Sequence, residues 1–458
     1  MDLYTQILTR LSDVIWGPVT LVLLVGTGVY LTIGLRFLSI RKLGYGFKLL
    51  WRGRKQSTEE GDITPFNALM TALSATVGTG NIVGVAGAIA IGGPGAVFWM
   101  WMTALFGMAT KYAESVLAVK YREVDERGRH QGGPMYYIKN GLGDKWKWLA
   151  FLFALFGTIA AFGIGNAVQS NAVAKALSAQ FNWSNQSHWY IGAVLALLTG
   201  LVLIGGIKSI GAFAGKVVPF MAVAYVGGAL VIIVMHLDQI PAALWTIVHD
   251  AFTGTAAAGG FAGSVFMLAV QKGVARGVFS NEAGLGSAPM AHAAARTTNP
   301  VRQGMIGMLG TFIDTIVICS MTAVVIVISQ QWLQIDPDTG KQISSAALTS
   351  TAFEHSLPGV GQYIVTFGLV FFAYTTIIGW SFYGERCAEY LFGIKVIMFY
   401  RVIWVGVVFV GAGAELRPIW LLADVLNGMM AIPNLIALLL LSPVVFRFTQ
   451  DYFKNTLH

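Results

Sequence analysis

Charge is scarce in this sequence. Only 11% of its 458 residues are Asp, Glu, Lys or Arg, against roughly 25% in a soluble domain, too few to coat a water-soluble globule of this length. Cysteine is scarcer still. Cys319 and Cys387 lie in separate apolar segments, which excludes a disulfide framework and offers no metal-ligand spacing. The chain has no H-E-x-x-H, no G-x-S-x-G and no pair of catalytic aspartates in facing apolar segments, so it does not read as an enzyme. A filter-like carbonyl motif and an Arg-rich helix are missing too, which argues against a channel. So is the ten-residue alternation of an outer-membrane barrel. Residues 1–13 hold Asp2 and Asp13 beside a single base, Arg10, whereas a cleavable signal peptide begins with a basic region. The first apolar helix is expected to stay.

Apolar length is what the chain has in quantity. Its residues are 55% hydrophobic, with a mean hydropathy of +0.66, and apolar runs of about 20 residues, enough to cross a hydrocarbon core, recur throughout. They predict an all-α polytopic membrane protein, in contact with lipid, with eleven spans at 14–35, 64–92, 95–121, 146–178, 188–207, 210–236, 262–293, 300–330, 359–391, 396–414 and 417–446. The formal charge of +8 falls in alternate connections rather than on one face, so it is not a nucleic-acid signature. Arg36, Arg41, Lys42, Lys48, Arg52, Arg54 and Lys55 follow span 1, and Lys120, Arg122, Arg127 and Arg129 follow span 3. Lys208, Arg296, Arg302, Arg386, Lys395, Arg401, Arg447 and Lys454 continue the series, while 179–188 has no base. Bases gather on the cytoplasmic side of a membrane, which predicts the N-terminus outside and the C-terminus cytoplasmic. Residues 38–52 set Leu38, Ile40, Leu43, Phe47 and Leu50 against bases, as an amphipathic helix lying along the interface does; the plainer reading is a solvated linker.

Two spans carry interruptions. Span 2 reads Ser74-Ala75-Thr76-Val77-Gly78-Thr79-Gly80-Asn81 and continues to Gly84. Span 7 reads Gly277-Val278-Phe279-Ser280-Asn281-Glu282-Ala283-Gly284 and continues to Pro289. One such stretch is explained by close helix packing. Two, five spans apart and oppositely oriented, fit an inverted repeat of spans 2–6 (64–236) and 7–11 (262–446), with 14–35 as an additional helix. An unwound turn at the midplane is tolerated where it lines a cavity, and it frees amide donors on one half-helix and carbonyl acceptors on the other. Such a pair suits a zwitterion, which points to transport. Gly78, Gly80 and Gly84 miss the dinucleotide fingerprint by one residue, and no strand precedes them.

The stretches VGTGNIVGVAGAIAIGGPGAVFWMW (77–101), GGPMYYI (132–138) and GVARGVFSNEAGLGSAPMAHAAA (273–295) resemble the signatures of the alanine or glycine:cation symporter family. The likeness runs from about residue 10 to 445. It implies a LeuT-like fold, that of the neurotransmitter:sodium symporters: a five-plus-five inverted repeat preceded here by one helix. It further implies uptake of alanine or glycine, with D-alanine as a candidate, coupled to Na⁺ across a bacterial or archaeal cytoplasmic membrane and without an organic cofactor. By position, Thr79, Gly80 and Asn81 would meet the substrate carboxylate, and Phe279, Ser280 and Asn281 its ammonium and side chain. Gln169 would border the pocket, with Thr376 and Trp380 of span 9 limiting side-chain size. Ser74, Val77, Phe372, Thr375 and Thr376 would give Na⁺ five uncharged oxygens, though paired threonines also back-bond to carbonyls one turn earlier.

Other polar residues sit inside apolar spans. Asp314 lies about 20 Å into span 8, where an ionisable group is a functional hypothesis. It would either couple protons or pair structurally with a hydroxyl or base. Glu282 would either join an ion network or pair with Arg276 or Lys272, the favoured reading. Lys111 and Glu114 have the spacing of a helical pair, and Glu385, Arg386 and Glu389 that of interfacial salt bridges. His292 reads as structural. Asp424 and Asn427 share a face of span 11, without an assigned role.

Overall fold

The computed structural model describes residues 3–55, 58–253, 262–335, 342–343, 345–414 and 417–456. A helix stands at each expected span position. Among the described residues seven helices are long and apolar enough to cross a membrane, eight when the bent pair Pro65–Thr76 and Gly80–Gly92 is taken as one, and Ser187–Leu203 is a shorter apolar helix. Large apolar side chains face outward: Val19 and Val22 on Pro18–Gly34, Phe220 and Val223 on Gly206–Met235, Phe399 and Val402 on Val396–Gly413. On a water-soluble protein a continuous belt of this kind would be an aggregation surface; around these helices it is a lipid-facing surface. The chain is a multi-pass membrane protein.

Residues with the right local chemistry start the central helices. Thr64 caps Pro65–Thr76 by accepting from Asn67 N at 3.1 Å, and Asn299 caps the Pro300 helix by accepting from Val301 N at 3.0 Å. In each case proline takes the first helical position, where its missing N–H costs nothing.

Several elements escape the hydropathy pattern. Helix Leu3–Ile15 precedes the first apolar helix and turns into it at Trp16-Gly17; Arg10 and Asp13 made it too polar to count as a span. Helices Ile240–Thr253 and Ser345–Ser356 fill connections. A two-residue hairpin pairs Glu123–Val124 with His130–Gln131. The helix expected over 38–52 forms as Leu38–Arg41 and Leu43–Arg52.

At the basic end, the approach to one broken helix is tied to the exit of the other. Asp62 N donates to Ala294 O at 2.9 Å, and Arg296 N to Ile63 O at 2.7 Å. Arg122 clamps the pair. Its Nη1 donates to Ala293 O (3.1 Å) and Ala295 O (2.8 Å), and its Nη2 to Glu60 O (3.1 Å) and Thr297 O (3.0 Å). Nearby, the Thr298 N–H bonds Glu59 at 2.7 Å and holds its carboxyl below the usual range. Only a planar guanidinium reaches four carbonyls at once. Arg122→Lys is therefore expected to lose about 2 kcal/mol or more, read as a lower unfolding temperature in detergent and faster proteolysis within 293–298.

Candidate functional site

The first broken helix stops at Val77, whose backbone turns extended, and resumes as a π-helical turn over Gly80–Gly84, with the two halves bent by 53°. Asn81 holds the break: its Oδ1 accepts from Gly78 N at 2.8 Å. In the second, helix Ala262–Asn281 ends where Glu282 enters the left-handed region (φ 55°), followed by Gly284 (φ 89°) and Gly286 (φ 81°) before Pro289–Ala293. A non-glycine residue held there costs of order 1–3 kcal/mol. Asn281 Oδ1 accepts from Ala283 N at 2.9 Å. The two breaks therefore lie on opposite sides of their asparagines. Thr79-Gly80-Asn81 opens a half-helix, whereas Phe279-Ser280-Asn281 closes one. A donor end meets an acceptor end. A methyl on Gly80 would stand 3.1 Å from Ser280 Cα.

Behind this junction sits Asp314, fully buried in a π-helical stretch, Phe312–Cys319. Its carboxylate accepts from Asn81 Nδ2 at 2.7 Å, Ser280 Oγ at 2.8 Å and Thr315 Oγ1 at 2.7 Å. All three partners donate, which suits an acceptor-only ionised carboxylate. Asn281 Nδ2 reaches Thr315 Oγ1 at 3.1 Å. Of the nine residues expected at the substrate, Asn81, Ser280 and Asn281 are thus bound into the scaffold behind the wall.

The other six, Thr79, Gly80, Gln169, Phe279, Thr376 and Trp380, line one cavity of about 20 Å³, together with Glu282 and Asn427. That is room for about one water. Gln169 Nε2 donates to Thr79 Oγ1 at 3.2 Å and to Ile164 O at 2.9 Å, which lies in the π-helical turn Gly163–Ala167. Gly165 lets the indole in, since a methyl there would lie 2.2 Å from Trp380 Cβ.

Glu282 corrects the expected pairing with Arg276 or Lys272. It accepts from Trp380 Nε1 at 2.8 Å and from the Ser287 hydroxyl, because leaving the helix at a left-handed residue turns it off the face that carries Arg276. Arg276 instead lies over the Phe279 ring, 5.7 Å from its centroid. Phe279 also borders a second, polar cavity of about 130 Å³, with Ser12, Asp13, Lys272, Arg276 and Asp424.

Four of the five residues expected at the cation come together. Thr376 Oγ1 lies 2.9 Å from Phe372 O and 3.3 Å from Val77 O, and Thr375 Oγ1 lies 3.0 Å from Phe372 O. Both hydroxyls back-bond to the Phe372 carbonyl. Ser74 joins the same helix contact through Gly379, where a methyl would meet Ser74 Oγ at 2.6 Å. Among the described residues no group of three His, Cys, Asp or Glu gathers for a metal. Uncharged oxygens suit a hard cation.

Lys111 and Glu114 do not form the expected pair. Lys111 Nζ is buried without a hydrogen-bond partner, while Glu114 accepts from Asn434 Nδ2 at 2.7 Å and Gly284 N at 3.1 Å. Glu385, Arg386 and Glu389 form salt bridges as expected, with Arg401 added, but buried. His292 lies 2.7 Å from Gln303 Nε2. The sequence signal for the wall position of Asn427 was its shared face with Asp424, and nothing in the pattern announced the π-helical turns.

The comparisons agree with this architecture. A model described as the sodium:alanine symporter family matches residues 1–458. The chain is 51% identical to the sodium/alanine symporter AgcS of Methanococcus maripaludis over 98% of its own length and 97% of that protein's. It is 38% identical to a Bacillus subtilis protein named "Probable sodium/glutamine symporter GlnT", covering 97% and 90%. Among solved structures it shares the fold of MhsT in complex with L-phenylalanine, with a TM-score of 0.56, 12% identity, and 85% and 98% coverage.

Replacing Asp314 by Ala would orphan three buried donors, at about 1–3 kcal/mol each. The expected outcome is a large fall in unfolding temperature in detergent, with Asp314→Asn falling less because one amide oxygen still accepts.

Proposed function

Since the chain belongs to the sodium:alanine symporter family, we propose that it is a secondary active symporter that carries small neutral amino acids inward with Na⁺. Alanine and glycine are the leading substrates, and D-alanine is a candidate. One observation carries this reading most: Thr376 belongs both to the cavity wall and to the oxygen cluster. A cation held by the Val77 and Phe372 carbonyls and the two threonine hydroxyls, with the Ser74 carbonyl as fifth ligand, would fix the wall that the substrate touches. Coupling then needs only that each ligand favour the state that binds the other, and the effect is reciprocal.

In the cavity, the Gly80 half-helix end attracts the substrate carboxylate, with Thr79 and Gln169 beside it. The carbonyl end of Ala262–Asn281 attracts the ammonium. Asn81, Ser280 and Asn281 act by holding both ends in place through Asp314 and Thr315. Trp380, seated on Gly165, limits side-chain size, which supports alanine and glycine over the larger amino acid in the name of the 38% identical relative.

The membrane arrangement belongs to the same proposal. Eleven spans cross a cytoplasmic membrane with the N-terminus outside and the C-terminus inside, and 38–52 lies along the inner interface. Repeats 64–236 and 262–446 follow the additional helix 14–35. Spans 2, 3, 7 and 8 rock against the rest to open the cavity inward. A proton-coupled reading keeps one observation in its favour: Glu282 contributes a carboxylate to the cavity wall.

Labelled alanine uptake into proteoliposomes tests these readings. An inward Na⁺ gradient is expected to drive accumulation without a pH gradient, and accumulation driven by H⁺ alone would overturn sodium coupling. Thr376→Val keeps the shape and removes the hydroxyl. It is expected to raise the half-saturating Na⁺ concentration about tenfold or more, the factor that 1.4 kcal/mol gives.

A further inference from the structure

The polar side chains around the cavity already have protein partners, with one exception. Gln169 is spent on Thr79 and Ile164, Glu282 on Trp380 and Ser287, and Thr376 on two carbonyls. Asn427 stands in the same wall at 1% exposure; its Oδ1 is buried without a hydrogen-bond partner, and its Nδ2 makes no hydrogen bond to the described residues either. A buried carbonyl left unpaired costs about 1–3 kcal/mol. A fold that keeps such a carboxamide in a cavity wall keeps hydrogen-bonding capacity for whatever enters.

Resting on the amino-acid reading of the cavity, we propose that Asn427 is a substrate-recognition residue whose Oδ1 accepts a hydrogen bond from the substrate ammonium. An ammonium brings three N–H donors. The carbonyl end of helix Ala262–Asn281 approaches from one side, and Asn427 supplies an acceptor from another helix, Arg417–Thr456. The carboxylate has its own place at the Gly80 end, so a carboxamide oxygen, not a further donor, is what a zwitterion needs here. Asn427 also lies outside both broken helices. A substrate held by Gly80 and Asn427 together therefore bridges the broken helices to the rest of the bundle, and an empty cavity lacks that bridge. Asp424, one turn earlier on the same helix, faces the 130 Å³ polar cavity on the other side of Phe279. One helix face thus presents an acceptor on each side of the ring.

The test is thermal unfolding of the full-length protein in detergent with Na⁺, titrated with L-alanine, for wild type, Asn427→Leu, Asn427→Asp and Gln169→Leu. Substrate-free Asn427→Leu is expected to unfold no earlier than wild type, because an unpaired polar group has been replaced by an apolar one. It should need at least about tenfold more alanine for the same stabilisation. Asn427→Asp retains the acceptor and is expected to stay within a few-fold of wild type. An unchanged alanine titration in Asn427→Leu would overturn the inference. So would a loss in Asn427→Asp as large as in Asn427→Leu, since that would make the Asn427 amide a donor to the carboxylate. Asn427→Ala gives the same readout if the leucine variant does not accumulate. If wild type shows no stabilisation by alanine or glycine, or Gln169→Leu leaves it unchanged, the amino-acid reading of the cavity itself fails, and the inference with it.

Discussion

One buried carboxylate holds both helix breaks. Unwound backbone inside a membrane protein survives only where its polar groups are satisfied and its position is fixed, and Asp314 does the fixing from behind. It accepts from Asn81 of the first broken helix and Ser280 of the second. Each asparagine in turn caps its own break through a backbone N–H. The cavity on the other side of the junction inherits its geometry from this arrangement. The residues that look most like ligands in sequence, an amide and a hydroxyl beside glycines, are used to place the helix ends that face the cavity.

Close approach makes the rest of the site. Gly78 leaves space for the Thr376 hydroxyl, Gly379 for Ser74, and Gly165 for Trp380. At Gly78 and Gly165 the missing Cβ brings the Thr376 hydroxyl and the Trp380 indole into the wall. Three π-helical stretches, around Asn81, Ile164 and Asp314, converge on the same region. Such turns widen a helix locally and recur at functional sites. They release carbonyls such as that of Ile164, which Gln169 then takes up.

Much of this was legible in the sequence, for identifiable reasons. Apolar length pointed to a multi-pass helical protein, and the paired small-polar stretches fall where the two helices break. Thr79, Gly80, Gln169, Phe279, Thr376 and Trp380, named from the resemblance, line one cavity. The side on which an asparagine caps its break was not legible, since Asn81 and Asn281 have the same local sequence logic and opposite geometries. Glu282 was misassigned because helical spacing to Arg276 presumes a helix that Glu282 has already left. Leu3–Ile15 was hidden by its own polarity. Asn427 shares a face with Asp424 in the sequence pattern, but its lack of a partner is a property of the packed molecule.

The distribution of buried charge bears on how uncharged oxygens could hold a cation. Glu114, Glu282 and Asp314 are buried together, and Lys111 is the base near enough for its charge to act on all three. Charge inside a low-dielectric interior is felt well beyond contact distance. Under the sodium-coupled reading, the Val77 and Phe372 carbonyls and the two threonine hydroxyls would supply the fit, and any net negative charge behind the wall would add to the attraction. Under the proposed function, a zwitterion would enter with its ammonium toward the acceptors and its carboxylate toward the half-helix end that offers donors. Orientation of the substrate and attraction of the ion would then share one electrostatic origin, while Thr376 joins them mechanically.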